Sequence, residues 1–325
     1  MNKNQVEELI VERGRKPASR MRIVDDTTDF MALDPGDVMI LNDTPYLITR
    51  NEREEGFGQD NESKFWVKRT INLRTGETKI VKLVFFEEFD IEVGGYKVHF
   101  CRSPLKEARV LSAVQENPFF MHGDDVNDIA GNNVRVIDYI SGPSLNKLVG
   151  SYNIPHEEFF HTKLLGILTG VSDCLQSLTF LHENGLVHGD VRWDHILFDR
   201  DQNIYRWIDF DYIYDFPANP YSMDLSGLGK VITYLVGMGV YFYADIKTNP
   251  MFKSVVDCLQ PEDFSIMEQN RLVNLKKVYP YIPERLNNVL LHFSGYSTVY
   301  YESVDEVLDD LRDALRDLDG VPSIH

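Results

Sequence analysis

The chain has 325 residues, 43% of them hydrophobic and 26% charged, with a formal net charge of -18 at pH 7. That length provides a large core and room for two lobes or two domains, and the apolar content excludes a disordered chain. The acidity excludes nucleic acid as a main partner, because a phosphate backbone needs clustered Lys and Arg; it reads instead as an aid to solubility, and a nucleotide cleft needs only a few local cations.

Cys101, Cys174 and Cys258 are widely spaced and form no C-x-x-C, so neither a disulfide framework nor a zinc site is expected, and a reducing cytoplasm is the simplest setting. The opening MNKNQVEELIVERG lacks the apolar core of a signal peptide. The most apolar run, Val231 to Ala244, contains Tyr234, Tyr241 and Tyr243 and is too short to span a bilayer, so it reads as a buried helix.

Residues 1 to 34 pass from the amphipathic VEELIVERG through the basic RGRKPASRMR to acidic and Thr residues. They read as a partly helical N-terminal extension, a solvated tether or a strap on the first lobe. From Pro35 to Phe100 the period becomes two. DVMIL, PYLITR, KFWVKRTI, TKIVKLVFF and YKVHF alternate with the turn signals NDTP, RTGE and VGG, which predicts an antiparallel sheet of about five or six strands. Between two of these strands, REEGFGQDNESK places Gly56 and Gly58 in a loop. Lys79 and Lys82 share one strand, and FDIEVGGYKVHF reads as an extra hairpin.

SPLKEARVLSAVQ predicts a helix with Ser103 as N-cap, Pro104 at its first position, and Leu105, Ala108, Leu111, Ser112 and Val114 on or near one face. Its Glu107 reads locally as a solvated residue beside Lys106 and Arg109. Residues 132 to 145, NNVRVIDYISGPSL, form a strand running into a Gly-Pro turn, with the lobe boundary at about Gly142. Residues 158 to 182 have helical spacing and read as core. Then comes LVHGDVRWDHILFDRDQNIYRWIDFDY, two apolar runs about a polar turn at Asp199 to Asn203, which reads as a hairpin with carboxylates at its ends. Asp190, Asp194, Asp209, Asp211, His188 and His195 are the densest set of metal and proton-handling groups in the chain. A further helix follows at YSMDLSGLGKVITYLVGMG, and near the C-terminus Glu306, Asp309, Asp310 and Asp313 form a solvated helix face.

The stretch from HGDVRWDH to DFD resembles the H-R-D-L-x-x-x-N and D-F-G pattern of the protein-kinase-like superfamily, bacterial eukaryotic-like Ser/Thr kinases in particular. The resemblance implies an α+β bilobal fold. Residues 35 to 141 would be an ATP-binding N-lobe of antiparallel sheet with one main helix, and residues 142 to 325 a mostly helical C-lobe carrying the catalytic loop and substrate side. It makes Asp190 the catalytic base, Arg192 the cation facing the transferred phosphate and Asp209 the metal ligand. Lys82 corresponds to the phosphate-binding Lys of V-A-I-K, with Lys79 a poorer match, and Glu107 is its partner. Gly56 and Gly58 sit where the glycine-rich loop is expected, without the full G-x-G-x-x-G. Backbone groups of Asp138, Tyr139 and Ile140 would meet adenine, Asp224 would brace the catalytic loop, and His188 would order it by packing.

The departures carry information too. His195 stands at the second metal-ligand position, as a metal ligand better suited to Mn²⁺ or a single-metal site, or as a hydrogen-bonding loop residue. Asp211 replaces the D-F-G glycine and can reach metal. Gly189 replaces the Arg that reads activation-loop phosphate, so phosphorylation of that segment is not expected to switch the protein. The segment between Asp211 and Asp224 is short and has no A-P-E, and the Arg of the late Arg-Tyr-x-Ser stretch is replaced in Tyr300-Tyr301-Glu302-Ser303. Losing both partners of that ion pair is self-consistent. The extra hairpin, absent from typical kinases, reads as a docking or dimer surface. The expected activity is transfer of the ATP γ-phosphate, with Mg²⁺ or Mn²⁺, to a protein Ser or Thr hydroxyl. The alternatives are a small-molecule or glycan kinase, favoured by the missing peptide-cradling segment, and a nucleotide-binding pseudokinase scaffold, favoured by the glycine-poor loop and His195. Retention of the Lys, the Glu and both Asp positions favours an active enzyme.

Overall fold

The computed structural model describes residues 1–53, 63–216 and 219–319. Gly56 and Gly58 lie outside the described residues. The strands in chain order are β1 (Ile23–Val24), β2 (Val38–Leu41), β3 (Thr44–Arg53), β4 (Ser63–Asn72), β5 (Thr78–Lys82), β6 (Glu88–Val93), β7 (Tyr96–Arg102), β8 (Gly123–Asn127), β9 (Asn133–Asp138), β10 (Ile196–Asp199), β11 (Ile204–Trp207) and β12 (Tyr212–Tyr214). The main helical segments are α1 (Lys3–Glu12), α2 (Pro104–Ala113), α3 (Leu145–Gly150), α4 (His156–Glu183), α5 (Ser222–Gly237), α6 (Tyr243–Thr248), α7 (Glu284–Leu291) and α8 (Val304–Asp319). The fold class is α+β, and the chain divides into two compact units: Met1–Glu87 with Arg102–Ile140, and Glu88–Cys101 with Ser141–His325.

The first unit is built on a seven-stranded sheet in the order β1-β2-β3-β4-β5-β9-β8, antiparallel except for the short β1–β2 pair. Alternation sorts its side chains into two cores. Met39, Leu41, Ile48, Val81, Leu83, Val134 and Val136 pack together, while Val38, Leu47, Ile71 and Leu73 form a second cluster with Val6 and Ile10 of α1. Val6 and Ile10 are one helical turn apart and fully buried, each contributing about 2 kcal/mol by burial. A capping box between Asn2 and Gln5 starts α1. Further on, Thr27 donates to Asp128 Oδ2 through both its backbone N–H and its hydroxyl, each at 2.7 Å. The N-terminal extension is therefore a strap on the first unit rather than a tether.

One expected strand belongs elsewhere. Instead of joining the large sheet, β7 pairs with β6 and β12 in a separate sheet of order β12-β7-β6. Alternation shows which side chains of YKVHF face inward, but not which strand edge will receive them. The inward face, Val98 and Phe100 with Val93, packs on Tyr212 and Met223 of the same chain. That apolar face is thus taken up internally, while Phe89 and Tyr96 of the same hairpin stay exposed.

In the second unit, α4 supplies buried Leu164, Leu168, Val171, Leu175, Leu178 and Leu181. Among the described residues it is the one helix long and apolar enough to cross a bilayer, and half of its most apolar window is buried. The apolar run from Val231 is a buried helix only as far as Gly237. Met238 then adopts a left-handed conformation, φ 53°, and Tyr243 begins α6. The polar turn after Asp199 joins β10 to β11 as expected, with the Asp199 carboxylate accepting the N–H groups of Asp201 and Gln202 and pairing with Arg206. Trp207 of β11 is buried and donates its indole N–H to the Cys174 carbonyl at 2.7 Å, fixing the hairpin to α4. VHGDV is a loop and not a strand: its His188 and Gly189 N–H groups go to the Asp224 carboxylate and its Asp190 N–H to the His188 ring, not to a neighbouring strand.

Candidate active site

In the first unit, Lys82 closes β5 with its side chain buried, and α2 presents Glu107 toward it. Ser103 caps α2 by accepting the Lys106 N–H at 3.2 Å, and Pro104 follows at the first helical position. Ala108, Val110 and Leu111 are also buried, so Glu107 has no route to solvent. Its Oε1 lies 2.5 Å from Lys82 Nζ and its Oε2 accepts from Arg135 Nε at 3.0 Å. Arg135 also donates to the carbonyls of Asn133 and Leu83, at 2.7 and 3.2 Å. Two cations thus share one buried carboxylate, and the solvated alternative for Glu107 is excluded. Lys79, the competing lysine, pairs with Asp138 at 2.7 Å instead.

Asp138 donates its N–H to the His122 carbonyl at 2.9 Å and so belongs to the sheet, while the Tyr139 ring lies 4.3 Å from the Arg69 guanidinium. Ile140 is buried at the end of this unit.

In the second unit, Asp224 on the first turn of α5 is buried and organises the HGD loop. Its Oδ2 accepts the His188 N–H at 2.7 Å and its Oδ1 the Gly189 N–H at 2.8 Å, with His182 Nε2 at 3.1 Å. Burial opposes the Asp224 charge, but the bonds from His182 and the loop outweigh it and hold its pKa below the ordinary value. This is the brace expected of Asp224. The His188 ring is buried edge-on to Trp207 and Phe210, consistent with a packing role.

His195 connects the two carboxylates that the sequence separates. Its Nδ1 lies 3.0 Å from the Asp190 carbonyl and 3.4 Å from Asp190 Oδ2, and its Nε2 lies 3.6 Å from Asp209 Oδ2. A carbonyl can only accept, so Nδ1 carries a proton. Nε2 then faces the Asp209 carboxylate beyond good hydrogen-bond distance. Among the described residues no three or more His, Cys, Asp or Glu side chains converge as a metal cluster. A donor pair of Asp209 and His195 nevertheless fits a divalent ion carried in on nucleotide phosphates, which commonly takes only one or two protein ligands. Asp209 itself is in the left-handed region, φ 59°, next to the fully buried Phe210. Asp211 is buried next to it.

Arg192 forks onto Asp194, with Nε to Oδ1 at 3.0 Å and Nη2 to Oδ2 at 2.6 Å. Burial works against Asp194, yet His195 and Arg192 leave its pKa below the ordinary value. For Asp190 burial prevails over His195 and Arg192, and its pKa is raised. A partly exposed carboxylate with raised basicity is chemically suited to taking a proton.

Sequence reasoning missed Arg135, Asp194 as the partner of Arg192, and His182. Arg135 left one signal: a cation between Val134 and Val136 in a strand buried on both faces must have an acidic partner.

Scanned against protein-family models, the chain matches none. Among curated proteins it is similar to the probable serine/threonine-protein kinase fnkB of Dictyostelium discoideum, 29% identical over 97 residues, which is 29% of this chain and 17% of that one's length. Among solved structures it is similar to the PknI kinase domain of Mycobacterium tuberculosis at TM-score 0.46 and 15% identity, over 83% of this chain and 95% of that chain. The chain is thus similar to a curated kinase over under a third of its own length and spans less than a fifth of that protein's length.

Proposed function

We propose that this protein-kinase-like chain is an ATP-dependent phosphotransferase acting on a hydroxyl, with protein Ser or Thr the favoured acceptor and a cytoplasmic setting. The observation that carries the reading is His195, whose two ring nitrogens draw Asp190 and Asp209 onto one imidazole. Phosphoryl transfer needs positioning and charge neutralisation more than covalent chemistry. In this reading Lys82 holds nucleotide phosphates, and Glu107 and Arg135 fix Lys82. Tyr139 and Ile140 offer backbone groups to adenine, since the Asp138 N–H is engaged in the sheet. Asp209 with His195, and Asp211 beside them, would hold Mg²⁺ or Mn²⁺, which supplies charge neutralisation on the phosphates. Asp190 orients the acceptor hydroxyl and takes its proton as the bond to phosphorus forms. Arg192, held by Asp194, offsets charge near the transferred group.

A small-molecule or glycan acceptor is the second reading. It is favoured by the short segment after Asp211, whose first residues are committed to β12. The test is a transfer assay from γ-labelled ATP, offering in parallel a Ser/Thr peptide library and a panel of sugars and other small alcohols. Label on peptides abolished by Asp190→Asn supports the protein-kinase reading, and label on a small alcohol supports the second. ATP binding without transfer in Mg²⁺ or Mn²⁺ would identify a nucleotide-binding scaffold instead.

A further inference from the structure

Strand β12 starts directly after Asp211 and is the third strand of the sheet formed by the β6–β7 hairpin. Its Tyr212 is buried in a cluster with Val93, Val98, Phe100 and Met223. Phe89 meets the Tyr212 ring edge-on at 5.4 Å between centroids, and Phe100 lies 5.4 Å from Tyr214. The far end of the hairpin is anchored as well: Gly94, at φ 56°, comes so close to Ile266 that an added Cβ would lie 3.3 Å from its Cδ1.

The opposite side of the segment rests on the HGD loop. A Cβ built on Gly189, at φ 87°, would lie 2.0 Å from the Tyr212 carbonyl oxygen, so no side chain of any kind fits there. An Arg that captures phosphate is one way to order such a segment. At Gly189 that place is filled by the segment's own backbone.

We infer that the Glu88–Arg102 hairpin is a built-in brace that holds the residues after Asp211 in one conformation and so positions Asp209 and Asp211 without covalent modification. Phe100 and Gly189 are its positioning residues. The inference rests on the phosphotransferase reading for its catalytic consequence, but not for its structural content.

The test uses the full chain. In one variant residues 89–100 are replaced by a short Gly-Ser bridge, which can close because Glu88 and Cys101 are paired across the hairpin. In the milder variant, Phe100→Ala, the cluster loses one ring, and this variant decides the question if the first does not fold. Hydrogen exchange is followed at Tyr212, Ile213 and Tyr214, with the β10–β11 hairpin as internal control, alongside ADP formation. The brace predicts at least about tenfold faster exchange at β12, unchanged exchange at β10–β11, a lower kcat at unchanged KM for ATP, and a wild-type rate indifferent to phosphatase treatment. Retained protection of β12, an unchanged kcat despite its exposure, or a wild type inactivated by phosphatase overturns the inference. A wild type that transfers no phosphate refutes the phosphotransferase reading separately. Exchange then decides the brace alone, faster exchange supporting it and unchanged exchange overturning it.

Discussion

Glu107 gives one carboxylate oxygen to Lys82 at 2.5 Å and the other to Arg135 at 3.0 Å, and all three side chains are buried. Removing the shared anion leaves two desolvated cations facing each other, which costs more than losing either pair alone. Glu107→Gln is expected to destabilise the chain by about 3–5 kcal/mol, read from the midpoint of urea unfolding. Arg135→Met keeps the Lys82 pair but frees one oxygen of Glu107. It should raise KM for ATP more than it lowers kcat, and Arg135→Lys should recover only part of the loss, because a lysine cannot also reach the Asn133 and Leu83 carbonyls.

Asp190 bears on the pH profile. Burial raises its pKa despite His195 and Arg192, so the acidic limb of kcat/KM should lie above the ordinary carboxylate range, with the rate rising as Asp190 loses its proton. Asp190→Asn should abolish that limb and lower the rate by about 10²–10⁴-fold. A limb that persists in the variant would assign the proton acceptor elsewhere.

Asp224 is the opposite case. Its pKa is held below the unfolded value, so its stabilisation is present above the unfolded carboxyl pKa and is lost as pH falls through the folded one. Asp224→Asn should therefore unfold at a less acid-sensitive midpoint, while being about 2–4 kcal/mol less stable at neutral pH. Acid titration followed by circular dichroism distinguishes the two slopes.

Lys68 tests the first core independently of any function. Its side chain is fully buried, Nζ donates to the Leu33 carbonyl at 2.6 Å and to Asn51 at 2.8 Å, and burial lowers its pKa to about 8. Between that value and the unfolded 10.5 the unfolded chain binds the extra proton, so stability rises with pH across this window. The rise should total about 3 kcal/mol and be missing from Lys68→Met, measured as the difference between the two unfolding curves from neutral to alkaline pH.

Much of this arrangement was legible locally. The Ser103-Pro104 start of α2, the strand carrying Lys82 and the turn after Asp199 are short-range signals, set by capping, alternation and turn chemistry, whereas Asp224 stood out only through the family resemblance. What escaped was long-range. Nothing in YKVHF says that it will pair with YIY after Asp211 rather than with the strands before it, because a strand edge accepts any compatible partner. Likewise Val6 and Ile10 show an apolar stripe but not the sheet face it covers. His195 could be read as a metal ligand or as a hydrogen-bonding loop residue, and only the folded loop places one ring nitrogen on the Asp190 carbonyl and the other toward Asp209. Arg135 was not singled out, because only its burial in β9 makes a carboxylate partner necessary.

The central claim is most directly tested by ADP release from Mg²⁺-ATP and Mn²⁺-ATP, comparing the wild type with Asp190→Asn and Asp209→Asn at matched folded concentration. ADP formation by the wild type is expected in at least one metal, lost with Asp209→Asn and reduced by about 10²-fold or more with Asp190→Asn. Equal ADP formation by all three proteins, or none by a folded wild type that binds ATP, would contradict it.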